Sequence, residues 1–214
     1  MQITQYVWDV VDSNSWLITE NNHGLLIDAV DNPELFETIQ SLESLTIILT
    51  HCHFDHICGL NRIRKIRPEA KVIATELCSE HIGNKYRNMS SSADAFLAFY
   101  EKGKKKEVHI EPFVCQPVDS IFSEGIEFDW QGHPISLNAV HGHSVDSLII
   151  LMDERLLFSG DTLLPIPTVT RLPGGNTRRF QEEDLPLLKA LNMEDVYPGH
   201  GGIEKAERLI SMNV

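Results

Sequence analysis

The sequence predicts an α/β protein built as two β-sheet layers with helices packed outside them. Three observations carry that expectation. Short runs rich in β-branched and aromatic residues recur along the chain, helical patterns are interleaved among them twice, and no linker or low-complexity segment interrupts the 214 residues, 42% of which are hydrophobic. The length favours a single domain, 1–214, carrying an inserted helical segment at about 76–112.

The elements follow in order. Strands are expected at 7–11 (VWDVV), 15–19 (SWLIT) and 24–30 (GLLIDAV), separated by the polar turn residues Asp12–Asn14 and Glu20–His23. Asp31-Asn32-Pro33 then starts a helix that carries Leu35, Ile39 and Leu42. LTIILT (45–50) is a continuous apolar run between polar residues, the pattern of a strand buried on both faces. Leu60, Ile63 and Ile66 mark a further helix, and KVIAT (71–75) another buried strand. The segment 76–112 differs in character: an amphipathic helix at 91–101 leads into a basic run from Lys102 to Lys106, read as a solvated loop. Strand-like segments resume at 119–122, 126–130, 134–140, 147–152 and 155–158, spaced as in hairpins. A loop, a helix near 181–191, a short strand at 194–197 and a helix at 203–211 close the pattern.

Composition narrows the partners. Lys plus Arg total 18 and Asp plus Glu total 31, a formal charge of −13. An acidic surface repels nucleic acid and anionic membrane, so neither is expected as a partner, and a small-molecule substrate is. No apolar run approaches the roughly 18 residues that span a bilayer. The beginning of the chain shows no basic patch ahead of an apolar core, and four scattered cysteines do not make a disulfide framework. A reducing, cytoplasmic setting is the expectation.

Ten histidines are many for this length, and they cluster. His51-Cys52-His53-Phe54-Asp55-His56 follows the buried run LTIILT directly. In extended backbone alternate side chains share a face, so His51 and His53 converge on one point while Asp55 and His56 swing to a neighbouring one. Imidazole nitrogen and carboxylate oxygen are the ligands of zinc and of similar first-row divalent ions. Three later fragments each place a potential ligand in a Gly-flanked loop after a strand-like segment: His143 in VHGHS, Asp161 in FSGDT and His200 in YPGHG. A flanking glycine lets backbone turn sharply beside an ion.

HCHFDH followed in order by GHS, SGDT and PGHG resembles the metallo-β-lactamase fold superfamily, from Asn14 and the LLIDA segment through PGHG. The resemblance implies a metallo-β-lactamase fold: a four-layer αββα sandwich of two mixed sheets with outer helices and a metal site at one sheet edge. It further implies one ion held by His51, His53 and His143, a second by Asp55, His56 and His200, and Asp161 bridging both. Two divalent ions, zinc foremost with iron or manganese as alternatives, would bring the pKa of a bound water toward about 7 and make a nucleophile at neutral pH. The implied activity is hydrolysis of an ester, thioester or lactone of a small molecule by the bound hydroxide, with Asp55 orienting it and passing its proton to the leaving group.

Single positions narrow the branch. Asp161 stands where the best-known metallo-β-lactamase subclass has cysteine, and His56 where that subclass has a non-histidine residue, which argues against antibiotic hydrolysis. His53 stands where diiron oxygen-reducing relatives carry glutamate. The core resembles the glyoxalase II-like thioesterases, although no C-terminal helical lobe that would bind glutathione follows His200. The alternatives are a mononuclear iron persulfide dioxygenase-like oxidoreductase, against which the stretch after Asp161 argues, and a non-catalytic metal-binding protein. Around the ligands, Ser144 and Thr162 can orient neighbours through hydrogen bonds. His141 is either a partner of this kind, a substrate contact or a structural histidine. Arg171, Arg178 and Arg179, in the loop after Asp161, are either solvated or a contact for an anionic substrate group. Cys52 and Cys58 are expected as small buried filler, Tyr197 as packed, and Trp16 and Trp130 as core or rim.

Overall fold

A computed structural model describes residues 1–100 and 108–213. Its strands form two six-stranded mixed sheets. The first contains β1 (Gln2–Trp8), β2 (Ser13–Glu20), β3 (His23–Ile27), β4 (Ser44–Ile48), β5 (Lys71–Thr75) and β6 (Ser120–Phe122), hydrogen-bonded in that order. The second contains β7 (Gly125–Trp130), β8 (His133–Ala139), β9 (Leu148–Met152), β10 (Leu156–Gly160), β11 (Asp195–Pro198) and β12 (Glu204–Lys205), also in sequence order. β1 to β3 are antiparallel and β3 to β6 parallel. β7 to β10 are antiparallel, β10 pairs β11 in parallel, and β12 closes the edge.

Alternation along each strand explains why four layers result. Trp16, Ile18, Leu25, Ile27 and Ile48 point inward and meet Leu148, Ile150, Leu156 and Phe158 of the opposite sheet. Their neighbours Leu17, Leu26 and Ile47 point outward and pack with Leu35 and Ile39 of α1 (Pro33–Gln40) and Leu60 and Ile63 of α3 (Leu60–Ile66). On the far side Ile149, Leu157 and Val196 pack with Leu188 of α7 (Leu185–Ala190) and Leu209 of α8 (Ala206–Met212). Strands with both faces covered read as unbroken apolar runs, as LTIILT does. This is the αββα sandwich that the sequence resemblance implies.

Several boundaries differ from the sequence pattern for identifiable reasons. The first strand begins at Gln2 and ends at Trp8, because the chain reverses through Asp12 at φ 58°. The third strand stops at Ile27, where Asp28 takes φ 59°. The helix expected near 181 starts earlier, as α6 (Thr177–Arg179), where the Asn176 side chain accepts from the Arg179 N–H, and it runs through a π-helical turn, Phe180–Asp184, into α7. The last helix starts at Ala206 because Glu204 and Lys205 pair with β11. After β5, α4 (Glu76–His81) and a 3₁₀ turn at Ser90–Ser92 precede α5 (Ala93–Tyr100). The basic run Lys102 to Lys106 lies outside the described residues. Among the described residues, no helix is long and apolar enough to cross a membrane.

Candidate metal centre

All seven side chains singled out by the motifs meet at one edge of the sandwich. β4 delivers Leu49 and Thr50 to the rim, where Thr50 O accepts from the Leu148 N–H of the opposite sheet and so ties the two sheets together. His51 and His53 follow, His53 at φ −57° and ψ 142°, and α2 (Phe54–Ile57) carries Asp55 and His56. His143 lies in the loop between β8 and β9, Asp161 directly after β10, and His200 directly after β11. Potential ligand atoms of His51, His53 and His143 lie within 4.8 Å of one another, as do those of Asp55, His56 and His200. Asp161 faces both groups: Oδ2 is 3.6 Å from His143 Nε2 and 3.5 Å from His200 Nε2, and Oδ1 is 3.4 Å from His56 Nε2.

The outer hydrogen bonds decide which ring nitrogen faces the centre. A carbonyl can only accept, so the Nδ1–H of His143 donates to Val169 O at 2.8 Å and that of His200 to Val11 O at 3.1 Å. His56 Nδ1 donates to Asp28 Oδ2 at 2.9 Å. The Thr50 hydroxyl gives its proton to Asp28 Oδ2 and therefore accepts from His51 Nδ1 at 3.0 Å. Each of these four rings thereby turns its Nε2 inward. His53 is reversed, with Nδ1 3.1 Å from His143 Nε2.

The inner atoms lack protein partners. His51 Nε2, His56 Nε2 and Asp161 Oδ1 are buried with no hydrogen-bond partner. One such orphan costs about 1–3 kcal/mol, so three directed at one volume are the imprint of a group that would satisfy them. A nitrogen and carboxylate set of this kind fits zinc or a similar divalent ion. The electrostatics divide the cluster. Burial, with the neighbouring histidines, drives His51 well below the usual range, and burial and His143 bring His53 to about 4. Burial works the same way on His200, but Asp161 and Asp55 outweigh it and lift this histidine to about 10. Asp55 and Asp161 likewise hold His56 well up against its burial. Burial would raise Asp161, yet His200 and His56 keep it well below the carboxylate range.

Sequence reasoning missed three buried carboxylates that build this arrangement. Asp28 accepts from Thr50 N at 2.7 Å, from the Thr50 hydroxyl and from His56. Asp146 accepts from Ser144 Oγ at 2.6 Å and from His81 Nδ1 at 3.1 Å, behind His53 and His143. Asp184, in the π turn, accepts from the backbone N–H groups of His141 and Gly142 and fixes the His143 loop. A charge inside an apolar run, as in GLLIDAV, was the available signal for the first.

The remaining candidates lie outside the cluster. Ser144 bonds Asp146 rather than a ligand, and the buried Thr162 hydroxyl has no hydrogen-bond partner, so it orients nothing. His141 Nδ1 donates to Val145 O, a loop tie. Arg178 and Arg179 pair with Glu182 and Glu183 on the helix surface, Arg171 is exposed, and none of the three lines the cavity above the cluster. Cys52 is buried away from the ligands with Sγ donating to Arg87 O, Cys58 is half-buried, and Tyr197 stacks on Phe158 at 4.7 Å.

Two glycines make room for the ligands. Gly160 has φ 49°, and a Cβ there would lie 2.6 Å from Thr50 Oγ1. At Gly199 a Cβ would lie 2.1 Å from Asp161 Oδ1. The loop carrying His200 is clamped by Asn14, whose backbone N–H donates to Gly199 O and whose side chain donates to Pro198 O and Gly201 O.

Compared with known sequences, residues 8–200 match the metallo-beta-lactamase superfamily. The chain belongs to this superfamily. A Caenorhabditis elegans "Beta-lactamase-like protein 2 homolog" is 25% identical over 206 residues, covering 89% of this chain and 56% of its own length. This chain thus spans little more than half of that relative. A Gallus gallus protein named "Acyl-coenzyme A thioesterase" is 24% identical over 215 residues, covering 92% of this chain and 75% of its own. Among solved superfamily structures, a B3 metallo-β-lactamase, BLEG-1, superposes with a TM-score of 0.78 at 22% identity, over 99% of this chain and 98% of that one. At that identity the likeness is one of fold.

Proposed function

We propose that the protein is a metal-dependent hydrolase that cleaves an ester, thioester or lactone carbonyl of a small molecule. The observation that carries this reading is the pair of ligand groups with Asp161 between them and three orphaned buried atoms turned inward. His51, His53 and His143 would hold one divalent ion, Asp55, His56 and His200 a second, and Asp161 would span both, with zinc the ion best suited to the donors. Bound there, the ions supply an acidified water and Lewis-acid polarisation of the carbonyl.

The chain's own groups do the positioning. Thr50, Asp28, Val11 O and Val169 O fix the orientation of four imidazoles, so the donor set is organised before loading. The Asp55 carboxylate borders the cavity, 3.3 Å from His200 Nε2. Burial would raise Asp55, but His56 and His200 keep it ionised, which lets its oxygen accept a proton from the attacking water and pass it to the leaving atom. The thioesterase name of the Gallus gallus relative supports this class of bond. Protein purified without added metal is expected to hold close to two equivalents. Chelation is expected to abolish cleavage across an ester, thioester and lactone panel, and zinc to restore it. Full activity of metal-free protein, or one equivalent of iron with oxygen uptake on a persulfide, overturns the reading.

A further inference from the structure

A cavity of about 310 Å³ opens directly onto the cluster, and its floor and walls differ in kind. His53, Asp55, His143, Asp161 and His200 form the floor. The walls come from four separate parts of the chain: Val11 from the β1–β2 turn, Phe54 from α2, Met89 and Phe96 from the inserted segment, and Leu164 and Ile166 from the loop after Asp161. Among the described residues that line it there is no Lys, Arg, Ser, Thr, Asn or Gln. A hydroxyl or charge entering above the floor would lose its water and gain no partner.

The walls are also held in place. Phe54 meets Trp8 and Phe96 edge-on, each at 6.3 Å between ring centroids, and Met89 and Ala93 pack on the same ring. At the mouth the apolar surface continues outward, with Ile166 53% and Val169 38% exposed. Large aliphatic side chains left in water around an apolar-walled pocket mark a binding surface.

Resting on the carbonyl chemistry proposed above, we propose that this cavity is a subsite for an unbranched aliphatic chain attached next to the scissile bond. At about 30 Å³ per water-sized group the cavity holds roughly ten such groups at most, and the ions and the reacting carbonyl would take part of that space, so the chain has fewer than about ten carbons. Any charged or strongly polar part of the substrate stays outside, beyond Ile166 and Val169.

The test uses zinc-loaded protein and two arms: p-nitrophenyl esters from acetate to decanoate, which lengthen the acyl side, and acetate esters of linear alcohols, which lengthen the leaving side. In one arm kcat/KM is expected to rise about fourfold per methylene, the gain from burying one such group, and to level off when the cavity is full. The arm that rises identifies the side that enters. Ile166→Ser, at an exposed position outside the core, is expected to cut the octanoate-to-acetate ratio (or its alcohol-side equivalent) by about threefold or more. Calorimetry with linear aliphatic amides, which carry the chain and resist cleavage, is expected to show the same rise in affinity. Flat or falling profiles in both arms and in amide binding overturn the subsite, even where the esters are cleaved. Chain-dependent amide binding without turnover of any ester, thioester or lactone would instead remove the hydrolase reading and leave the subsite standing.

Discussion

The two halves of the sandwich supply the centre in different ways. The first sheet contributes four side chains from one six-residue stretch, His51 to His56, and secures them by charge: Asp28, at φ 59° after β3, collects Thr50 N, the Thr50 hydroxyl and His56 Nδ1. The second sheet contributes one side chain from each of three loops: the Asp184 carboxylate holds the His143 loop, and Asp161 and His200 are admitted by fit, because Gly160 and Gly199 remove the atoms that would collide with Thr50 and Asp161. A contiguous motif can be held by one anchor, because its members move together. Dispersed ligands must each be admitted by their own local backbone.

The contrast can be broken at the bridge between the halves. Asp161→Ala is expected to lose at least one metal equivalent and roughly a thousandfold in kcat/KM, more than the 10–100-fold typical of an outer hydrogen-bond partner, while circular dichroism shows the sheets intact. His141→Ala, by contrast, is expected to keep both equivalents. Retention of two tightly held metals in Asp161→Ala would mean that the halves are not joined there.

Fit is tested at Gly199→Ala. A methyl 2.1 Å from Asp161 Oδ1 must displace that carboxylate, and a misplacement of about 1 Å costs on the order of a hundredfold in rate. Gly202→Ala, where a Cβ meets nothing within 4 Å, is the matched control and is expected to leave kcat/KM unchanged. Equal rates for the two variants would remove steric admission as the principle of the second half.

Charge is tested at Asp28→Asn. Asparagine tolerates the same backbone, so the variant removes mainly the anionic acceptor, and zinc affinity is expected to fall about 10–100-fold by competition with a chromogenic chelator. An unchanged affinity would show that Asp28 serves the strand end and not the ligands.

A smaller effect separates the ligands from their outer support. Burial would raise Asp146, but His81, Cys52 and Ser144 hold it at about 2 against an ordinary 3.8. A depressed carboxylate stabilises the folded state above its unfolded value and loses that contribution as pH falls through the folded one. Asp146 therefore adds about 2 kcal/mol at neutral pH, lost progressively between about pH 4 and pH 2. Urea midpoints of the parent are expected to drop across that window, and those of Asp146→Asn to drop less; parallel curves would refute the assignment.

The difference between the halves also explains what could be read from the chain. HCHFDH is legible because neighbouring positions must alternate and turn together, and the strand LTIILT is legible because both of its faces are covered. GHS, SGDT and PGHG are weak singly and gain meaning by their order. What stayed hidden depends on contacts between distant segments. Asp28 reaches Thr50 22 positions away, the rim arginines turn toward their own helix glutamates, and β12 exists through its pairing with β11. The cavity walls are the extreme case, since Val11, Phe96 and Ile166 share no local pattern.

The clamp at Asn14 sets a timetable. Its side chain holds Pro198 O across 184 positions of sequence, and Ser13 forms a bridge with His200. Contacts so far apart in sequence close late, because the intervening chain must be ordered first. On a growing chain His51 to His56 emerge long before their last companion. The cluster therefore stays incomplete until β2 meets the end of β11 and brings His200 into place. Completion of the seven-residue cluster and completion of the fold are one event.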